Sequence, residues 1–180
     1  MEIRVLPINK AKEELNRIKD INFKVIIISS YESDIDSVTS DNKIVLHFDD
    51  ITYQSNHSFN SDLAFKIKEF VEDIDFEKDM LYICCDSGVS RSSAIAAAIL
   101  RKYNEDEKVI WKDYTYSPNI FVYQILCNEF GLKTNALRIK HLKNINRKAL
   151  KKQINKSKNI FSILRKIKYL TQDSIERKEV

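Results

Sequence analysis

The sequence contains very few of the residues that most often interrupt or crosslink a chain. Its 180 residues include two glycines, two prolines and three cysteines. An odd number of cysteines cannot all pair within one chain, and the adjacent Cys84 and Cys85 suit no ordinary structural disulfide. We therefore expect reduced thiols. Internal repeats and Gly/Ser/Pro-rich linkers are missing as well, which favours one globular domain over a low-complexity or multidomain chain.

Long hydrophobic runs are also missing. The longest apolar stretches, Val25–Ile28 and Ala94–Leu100, are far shorter than the roughly 20 residues that span a bilayer. The stretch Met1–Leu15 mixes charged side chains with apolar ones and does not resemble a signal peptide. The hydrophobic fraction of 43% and charged fraction of 31% are typical of a globular protein. We expect an intracellular, cytoplasmic protein without a membrane-spanning segment.

Charge divides the chain into two regions. Residues 1–132 carry 15 Lys and Arg against 23 Asp and Glu, a balance of −8, whereas residues 133–180 carry 15 against 3, a balance of +12. Apolar residues in the second region recur at helical spacing, at Leu137, Leu142 and Ile145 and again from Ile160. We predict a main domain over 1–132 and a basic tail over 133–180, formed by one or two amphipathic helices packed on that domain.

A second interpretation of the basic tail is a docking element for an anionic partner. Such a partner could be a phosphoprotein, RNA or an acidic lipid surface, because each would be attracted by the positive charge. Aromatic residues are sparse in the tail, where only Phe161 and Tyr169 occur. This scarcity weakens a model in which bases stack on the tail, and it leaves nucleic-acid binding open.

Apolar strands alternate with helical patterns along the first region. Strands are predicted at Ile3–Val5, Phe23–Ser29, Lys43–Phe48 and Met80–Cys84. A first helix is predicted over about Lys10–Lys19, and a second runs from a Ser61 or Asp62 cap through Val71. A third covers about Ser92–Lys102, and a fourth covers Asn119–Phe130 after a Ser117 cap. This alternation predicts an α/β fold with a central, largely parallel sheet of four to five strands flanked by helices and a basic C-terminal helical extension.

The segment CDSGVSRS, Cys85–Ser92, joins a buried strand to a buried helix. Loop N–H groups and the start of the helix can converge on an anion there, and Arg91 can form a bidentate pair with phosphate. The same surroundings favour the thiolate of Cys85, while Gly88 lets the loop turn tightly and Ser92 can hydrogen-bond the sulfur. The predicted phosphate-binding residues are Asp86, Ser87, Gly88, Val89, Ser90 and Arg91.

This segment resembles the C-x5-R-S phosphate-binding loop of the cysteine-dependent protein tyrosine phosphatases, in their compact dual-specificity-like branch from bacteria and archaea. FDDI at Phe48–Ile51 and SPN at Ser117–Asn119 resemble the same branch, and the likeness covers about residues 23–132. The resemblance implies that Cys85 attacks phosphorus, that Arg91 binds the equatorial oxygens, and that an upstream aspartate protonates the leaving oxygen. It implies hydrolysis of phosphotyrosine in a protein or peptide, with phosphoserine and phosphothreonine left open, and no metal or cofactor.

Two aspartates compete for the role of general acid. Asp49 and Asp50 both follow the strand Lys43–Phe48, which places them at the carboxyl edge of the sheet, where α/β sites lie. The F-x-D-I pattern and the separation from Cys85 favour Asp50. Asp86 is less suitable, because we expect its side chain to point away from the bound phosphate.

One residue departs from the family pattern, since Cys84 stands where the family usually has histidine. Cys84 is predicted to be a buried strand thiol, and a disulfide with oxidised Cys85 is the alternative. The missing histidine also leaves open a catalytically weak phosphate-binding module. Two further alternatives keep the same chemistry on a phosphoinositide or on the 5′-triphosphate end of RNA.

Overall fold

Four parallel strands form the sheet that carries the site. The computed structural model describes residues 2–15, 17, 23–30, 42–75, 77 and 79–176, with side chains up to residue 160. The strands are β1 (Glu2–Pro7), β2 (Phe23–Ser29), β3 (Lys43–His47) and β4 (Met80–Cys85), and their order across the sheet is β1-β4-β2-β3. All neighbouring strands pair in parallel, so their carboxyl ends meet at one edge. The predicted α/β fold with a parallel sheet is confirmed.

The two central strands are apolar on both faces, because helices cover both sides of the sheet. Ile26 and Ile27 of β2 point to opposite faces and are both fully buried. In β4, Ile83 and Cys85 belong to one hydrophobic cluster, whereas Cys84 belongs to a second cluster on the other face. Cys85 therefore ends a strand whose position is fixed from both sides.

Six helices are present in the described part of the chain. They are α1 (Ile8–Leu15), α2 (Ser61–Glu72), α3 (Arg91–Lys102), α4 (Lys108–Lys112), α5 (Ile120–Glu129) and α6 (Ala136–Glu176). Helix α1 packs in the smaller cluster on one face of the sheet, and helices α2 to α5 with the start of α6 contribute to the larger cluster on the other. None of the described helices is both long enough and apolar enough to cross a membrane.

Several predicted boundaries are wrong by a few residues. Strand β1 continues to Pro7, because a proline is tolerated on an edge strand. Helix α1 begins at Ile8 rather than Lys10, and its described residues end at Leu15. The rest of the predicted helix, up to Lys19, includes residues outside the described ones. Helix α4 was not predicted at all, because its five residues are too few to show a periodic pattern.

Asparagine side chains, rather than the predicted serines or aspartate, cap two of the helices. Asn60 caps α2 by accepting a hydrogen bond from the Leu63 N–H. Asn119 caps α5 by accepting from two N–H groups of its first turn. Both differences follow from the same chemistry, since asparagine is as good a helix cap as serine or aspartate.

The tail forms a single helix, α6, whose first turns are anchored to the main domain. Arg138 forms an ion pair with the buried Glu107, and Leu142 is only 1% exposed. The Asn146 Nδ2 group donates to the Tyr116 carbonyl oxygen at 2.9 Å and to the Trp111 carbonyl oxygen at 3.3 Å. These contacts fix the position of α6 beside the loop that precedes α5.

Candidate active site

Cys85 is the last residue of β4, and its sulfur faces the start of α3. The thiol is 1% exposed. The Gly88 N–H donates to Sγ at 3.2 Å, and the Ser92 hydroxyl lies 3.0 Å from the same atom. As a thiolate, the sulfur would accept a hydrogen bond from each of these two groups. This geometry suits a nucleophilic thiolate.

Gly88 makes the tight loop possible. Its φ of +69° lies in the left-handed region, and a Cβ at this position would lie 2.6 Å from the Leu6 carbonyl carbon of β1. The backbone there cannot move without disturbing the pairing of β1 with β4. A side chain at position 88 is thus excluded by both conformation and space.

We predict that Gly88→Ala distorts the loop and lowers the free energy of unfolding by about 2 kcal/mol or more, from left-handed strain and steric overlap combined. Urea unfolding measures the free energy of unfolding, and vanadate binding measures the distortion of the loop. Gly131→Ala is the matched control, because Gly131 has a φ of +70° but a Cβ added there would meet nothing within 4 Å. Equal destabilisation by the two substitutions would contradict the steric argument.

Arg91 is the first residue of α3, and its guanidinium is buried. Its Nη1 group donates to the Phe48 carbonyl oxygen at 2.7 Å and to Ser30 Oγ at 3.3 Å, and Nη2 donates to the Asp86 carboxylate. The Nε atom is buried and has no hydrogen-bond partner in the described part of the chain. Nε–H and one Nη2 hydrogen share an edge of the guanidinium, and two N–H groups on one edge can bind an oxyanion bidentately.

Asp86 lies in the loop and neutralises part of the charge of Arg91. Its carboxylate accepts from Arg91 Nη2 and, at 3.3 Å, from Ser30 Oγ. The side chain is 40% exposed. Asp86 is therefore directed toward the arginine, where it can orient the guanidinium.

Asp50 follows β3 and reaches the opposite rim of the loop. The Ser90 hydroxyl donates to its Oδ1 at 2.9 Å, and Asn119 Nδ2 donates to the same oxygen at 2.8 Å. Asp50 is exposed, so its carboxyl group can meet a substrate. Asp49 is half-buried, and its N–H donates to the His57 carbonyl oxygen at 2.8 Å. Of the two aspartates, Asp50 is the one whose carboxylate is hydrogen-bonded to the loop.

Asn119 is a positioning residue that the sequence analysis missed. Its Nδ2 group donates to Asp50 Oδ1 and to the Ile51 carbonyl oxygen at 3.0 Å, while its Oδ1 caps α5. Its backbone N–H donates to the Ser90 carbonyl oxygen at 3.2 Å. Asn119 thus connects the aspartate and α5 through its side chain and the loop through its backbone. An asparagine directly before a helical pattern is the signal that could have identified it as a cap.

Cys84 points away from the loop, although it is adjacent to Cys85. Successive residues of a strand face opposite sides of the sheet, and Cys84 packs with Ala11 and Tyr82 in the cluster that includes α1. Both cysteines are free thiols. A disulfide between them would require the end of β4 to change its conformation. Cys84 is in this structure a buried strand thiol.

We predict that an electrophile such as iodoacetamide modifies Cys85 and leaves Cys84 unmodified in the folded protein. Burial, and to a lesser extent the neighbouring Cys85, raises the pKa of Cys84 to about 12. Its thiol therefore keeps its proton from neutral pH until the pH approaches that value, and the thiol form is a poor nucleophile. Peptide mapping by mass spectrometry after a short reaction identifies the site. Preferential labelling of Cys84 would contradict this assignment.

Structural comparison identifies the fold. The structure is similar to that of the PTP-2 phosphatase of Cydia pomonella, with a TM-score of 0.52 and 15% sequence identity over 71% of this chain and 85% of that chain. The structure of PTPMT1 in complex with PI(5)P matches with a TM-score of 0.47 and 14% identity, over 72% and 90% of the two chains. No protein-family model and no curated protein sequence matches this chain. The fold expected from the resemblance to the cysteine-dependent protein tyrosine phosphatases is confirmed.

Proposed function

We propose that this protein is a phosphatase that hydrolyses phosphate monoesters through a cysteinyl-phosphate intermediate. The observation that carries the proposal is one loop that joins Cys85, whose Sγ has two hydrogen-bond partners, to Arg91, whose buried Nε–H has no partner among the described residues. A buried donor without a partner is rare in a folded protein. A phosphate oxygen would supply the acceptor that this donor requires.

In the first step, the Cys85 thiolate attacks phosphorus. An S–P bond forms while the bond between phosphorus and the leaving oxygen breaks, and Asp50 donates its proton to that oxygen. Arg91 and the loop N–H groups of Asp86, Ser87, Val89 and Ser90 bind the equatorial oxygens, where charge accumulates in the transition state, while the Gly88 N–H donates to the sulfur. Asn119 and Ser90 hold the Asp50 carboxyl at the rim of the loop for this transfer.

In the second step, water attacks the cysteinyl phosphate. Asp50, now a carboxylate, accepts a proton from the water as the new O–P bond forms. The S–P bond breaks and the electron pair returns to sulfur. The Ser92 hydroxyl, 3.0 Å from Sγ, donates a hydrogen bond to the departing thiolate and makes it a better leaving group. Inorganic phosphate is released and the thiolate is regenerated.

The preferred substrate is a phosphotyrosyl protein or peptide, and phosphoserine and phosphothreonine peptides are the next candidates. The loop residues between Cys85 and Arg91 include no lysine, which argues against the highly charged headgroup of a phosphoinositide. Each of these substrates presents a phosphate to the same loop, so the chemistry described above serves all of them.

Hydrolysis of a substrate panel by the native protein, in buffer containing a metal chelator, tests the proposal. The panel comprises p-nitrophenyl phosphate, phosphotyrosyl and phosphoseryl peptides, a phosphoinositide and 5′-triphosphorylated RNA. We expect release of phosphate from p-nitrophenyl phosphate and from the phosphotyrosyl peptide, and inhibition by vanadate. Vanadate binding without turnover of any member would contradict the enzymatic function and define a phosphate-binding module.

We predict that Asp50→Asn lowers kcat for p-nitrophenyl phosphate by about 100-fold, since a positioned general acid contributes roughly that factor or more. The loss is larger for phenyl phosphate, whose leaving group depends more on protonation. Asp49→Asn is the matched control and retains at least half of the activity. Steady-state rates of the three proteins on both substrates decide the assignment. A larger loss in Asp49→Asn would transfer the role to Asp49.

A further inference from the structure

A groove leads from the Asp50 side of the candidate active site to α6. Its first part has a volume of about 550 Å³ and is lined by Asp50, Ser90, Gln124 of α5 and Lys143 of α6, among others. Gln124 and Lys143 also line a second part of about 580 Å³ between α5 and α6. Because the two parts share these side chains, we treat them as one surface, the α5–α6 groove.

The α5–α6 groove is positively charged. Lys140, Lys143 and Arg147 line it, and their spacing places them on one face of α6. All three are exposed. In the described part of the chain, Lys140 and Lys143 form no ion pair with an acidic side chain. Asp50 is the one acidic residue among the described residues that line the groove. Such a patch attracts anionic groups.

The uncharged lining favours a peptide over a nucleic acid. Ile139 and Ala136 supply apolar surface in the second part, and Gln124 and Asn144 supply amide groups that can hydrogen-bond a peptide backbone. Phe121 is the one aromatic residue in the described lining. Single-stranded nucleic acids bind to several aromatic side chains on which successive bases stack.

The cations of the groove lie on a helix that is held in place. Leu142, next to Lys143, is buried in the main hydrophobic cluster. Arg138 pairs with the buried Glu107 on the domain, and Asn146 donates to the Tyr116 carbonyl oxygen. Lys143 therefore has a fixed backbone position relative to Asp50, as a specificity determinant requires.

We propose that the α5–α6 groove binds acidic residues that flank the phosphorylated residue of a peptide substrate, with Lys143 as the specificity-determining residue. The inference rests on the proposed function in one respect. Asp50 must contact the leaving-group oxygen, so the remainder of the substrate leaves the active site on the Asp50 side, where the groove begins. A peptide in this position brings its acidic side chains to Lys143 and then to Lys140 and Arg147.

Paired substrates test the proposal. Two phosphotyrosyl peptides have the same length, one with glutamate and one with glutamine on both sides of the phosphotyrosine. We expect kcat/KM of the native protein to be about tenfold higher for the glutamate peptide, mostly through KM, and the difference to shrink in high salt. Lys143→Glu removes this preference, which is measured as the ratio of kcat/KM for the two peptides in the same protein. Hydrolysis of p-nitrophenyl phosphate, which is too small to reach the groove, changes far less than hydrolysis of the glutamate peptide.

Lys152→Glu is the matched control, since Lys152 is exposed and lies about half a turn around α6 from Lys143. It retains the preference for the glutamate peptide. If the native protein shows no preference, or if the preference survives Lys143→Glu, the inference is wrong. A Lys143-dependent preference for 5′-triphosphorylated RNA over both peptides would also overturn it.

Failure of the proposed function gives a different result. In that case the native protein hydrolyses neither p-nitrophenyl phosphate nor the peptides. Fluorescence anisotropy of the two labelled peptides then tests the groove by binding alone. Tighter binding of the glutamate peptide that is lost in Lys143→Glu supports the groove, and equal binding of the two peptides excludes it.

Discussion

Cys85→Ser is expected to lower the hydrolysis of p-nitrophenyl phosphate by at least about 1,000-fold. The serine hydroxyl stays protonated at neutral pH and is a far weaker nucleophile than a thiolate. Its size is similar, and position 85 already lies beside the Ser92 hydroxyl and the Gly88 N–H, so the fold should persist. Steady-state rates measure the loss of activity, and vanadate binding measures separately whether the phosphate-binding loop is still folded.

Cys84→Ser is the matched control for this substitution, because it makes the same chemical change one residue earlier in β4. Cys84 lies on the other face of the sheet, where a buried hydroxyl lowers stability but does not touch the reacting atoms. We expect Cys84→Ser to keep activity within about threefold and to unfold at a lower urea concentration. Activity that survives in Cys85→Ser would show that Cys85 is not the nucleophile.

Arg91→Lys is expected to lower kcat/KM by about 100-fold or more. A lysine keeps the positive charge but cannot present the two parallel N–H groups that bind two phosphate oxygens at once. It also cannot reproduce the hydrogen bonds of Arg91 to Phe48 and Ser30 together with the pair with Asp86. Transition-state charge on the equatorial oxygens is therefore stabilised less, and both kcat and vanadate affinity fall.

Arg101→Lys provides a comparison on the same helix. Arg101 lies near the end of α3 and donates to the Lys133 carbonyl oxygen at 2.8 Å, far along the helix from the loop. We expect this variant to lose some stability and to keep its vanadate affinity. If Arg91→Lys retained wild-type vanadate affinity, the phosphate-binding role of Arg91 would be wrong.

The sequence predicted the elements that carry strong local patterns. The apolar runs of β2 and β4 and the motif Cys85–Ser92 are continuous in sequence, so both the parallel sheet and the loop could be recognised. Short elements were harder to predict. Helix α4 has only five residues, and β1 ends on a proline, a residue that sequence reasoning takes as a strand breaker. Helix caps were misplaced where two or three capping residues lie next to each other, as at Asn60–Asp62 and Ser117–Asn119.

Contacts between distant segments were beyond sequence reasoning. Asn119 holds Asp50, which lies 69 positions earlier in the chain, and Arg91 donates to the Phe48 carbonyl oxygen across 43 positions. Such hydrogen bonds depend on how the sheet edge and the helices come together, not on local spacing. The groove between α5 and α6 is of the same kind, since a charge count of residues 133–180 gives no position for Lys143 relative to the site.

The central claim is that the reaction passes through a phosphate ester of Cys85. Rapid acid quenching of the Asp50→Asn variant with p-nitrophenyl phosphate, followed by mass spectrometry of its peptides, tests this claim most directly. The p-nitrophenolate group leaves with little need of an acid, whereas attack of water still needs a base, so loss of Asp50 slows the second step more than the first and the intermediate accumulates. The account predicts a phosphoryl group on the peptide containing Cys85, and none when Cys85 is replaced by serine in the same background. A phosphoryl group on another residue, or turnover of the native protein that is independent of Cys85, would contradict it.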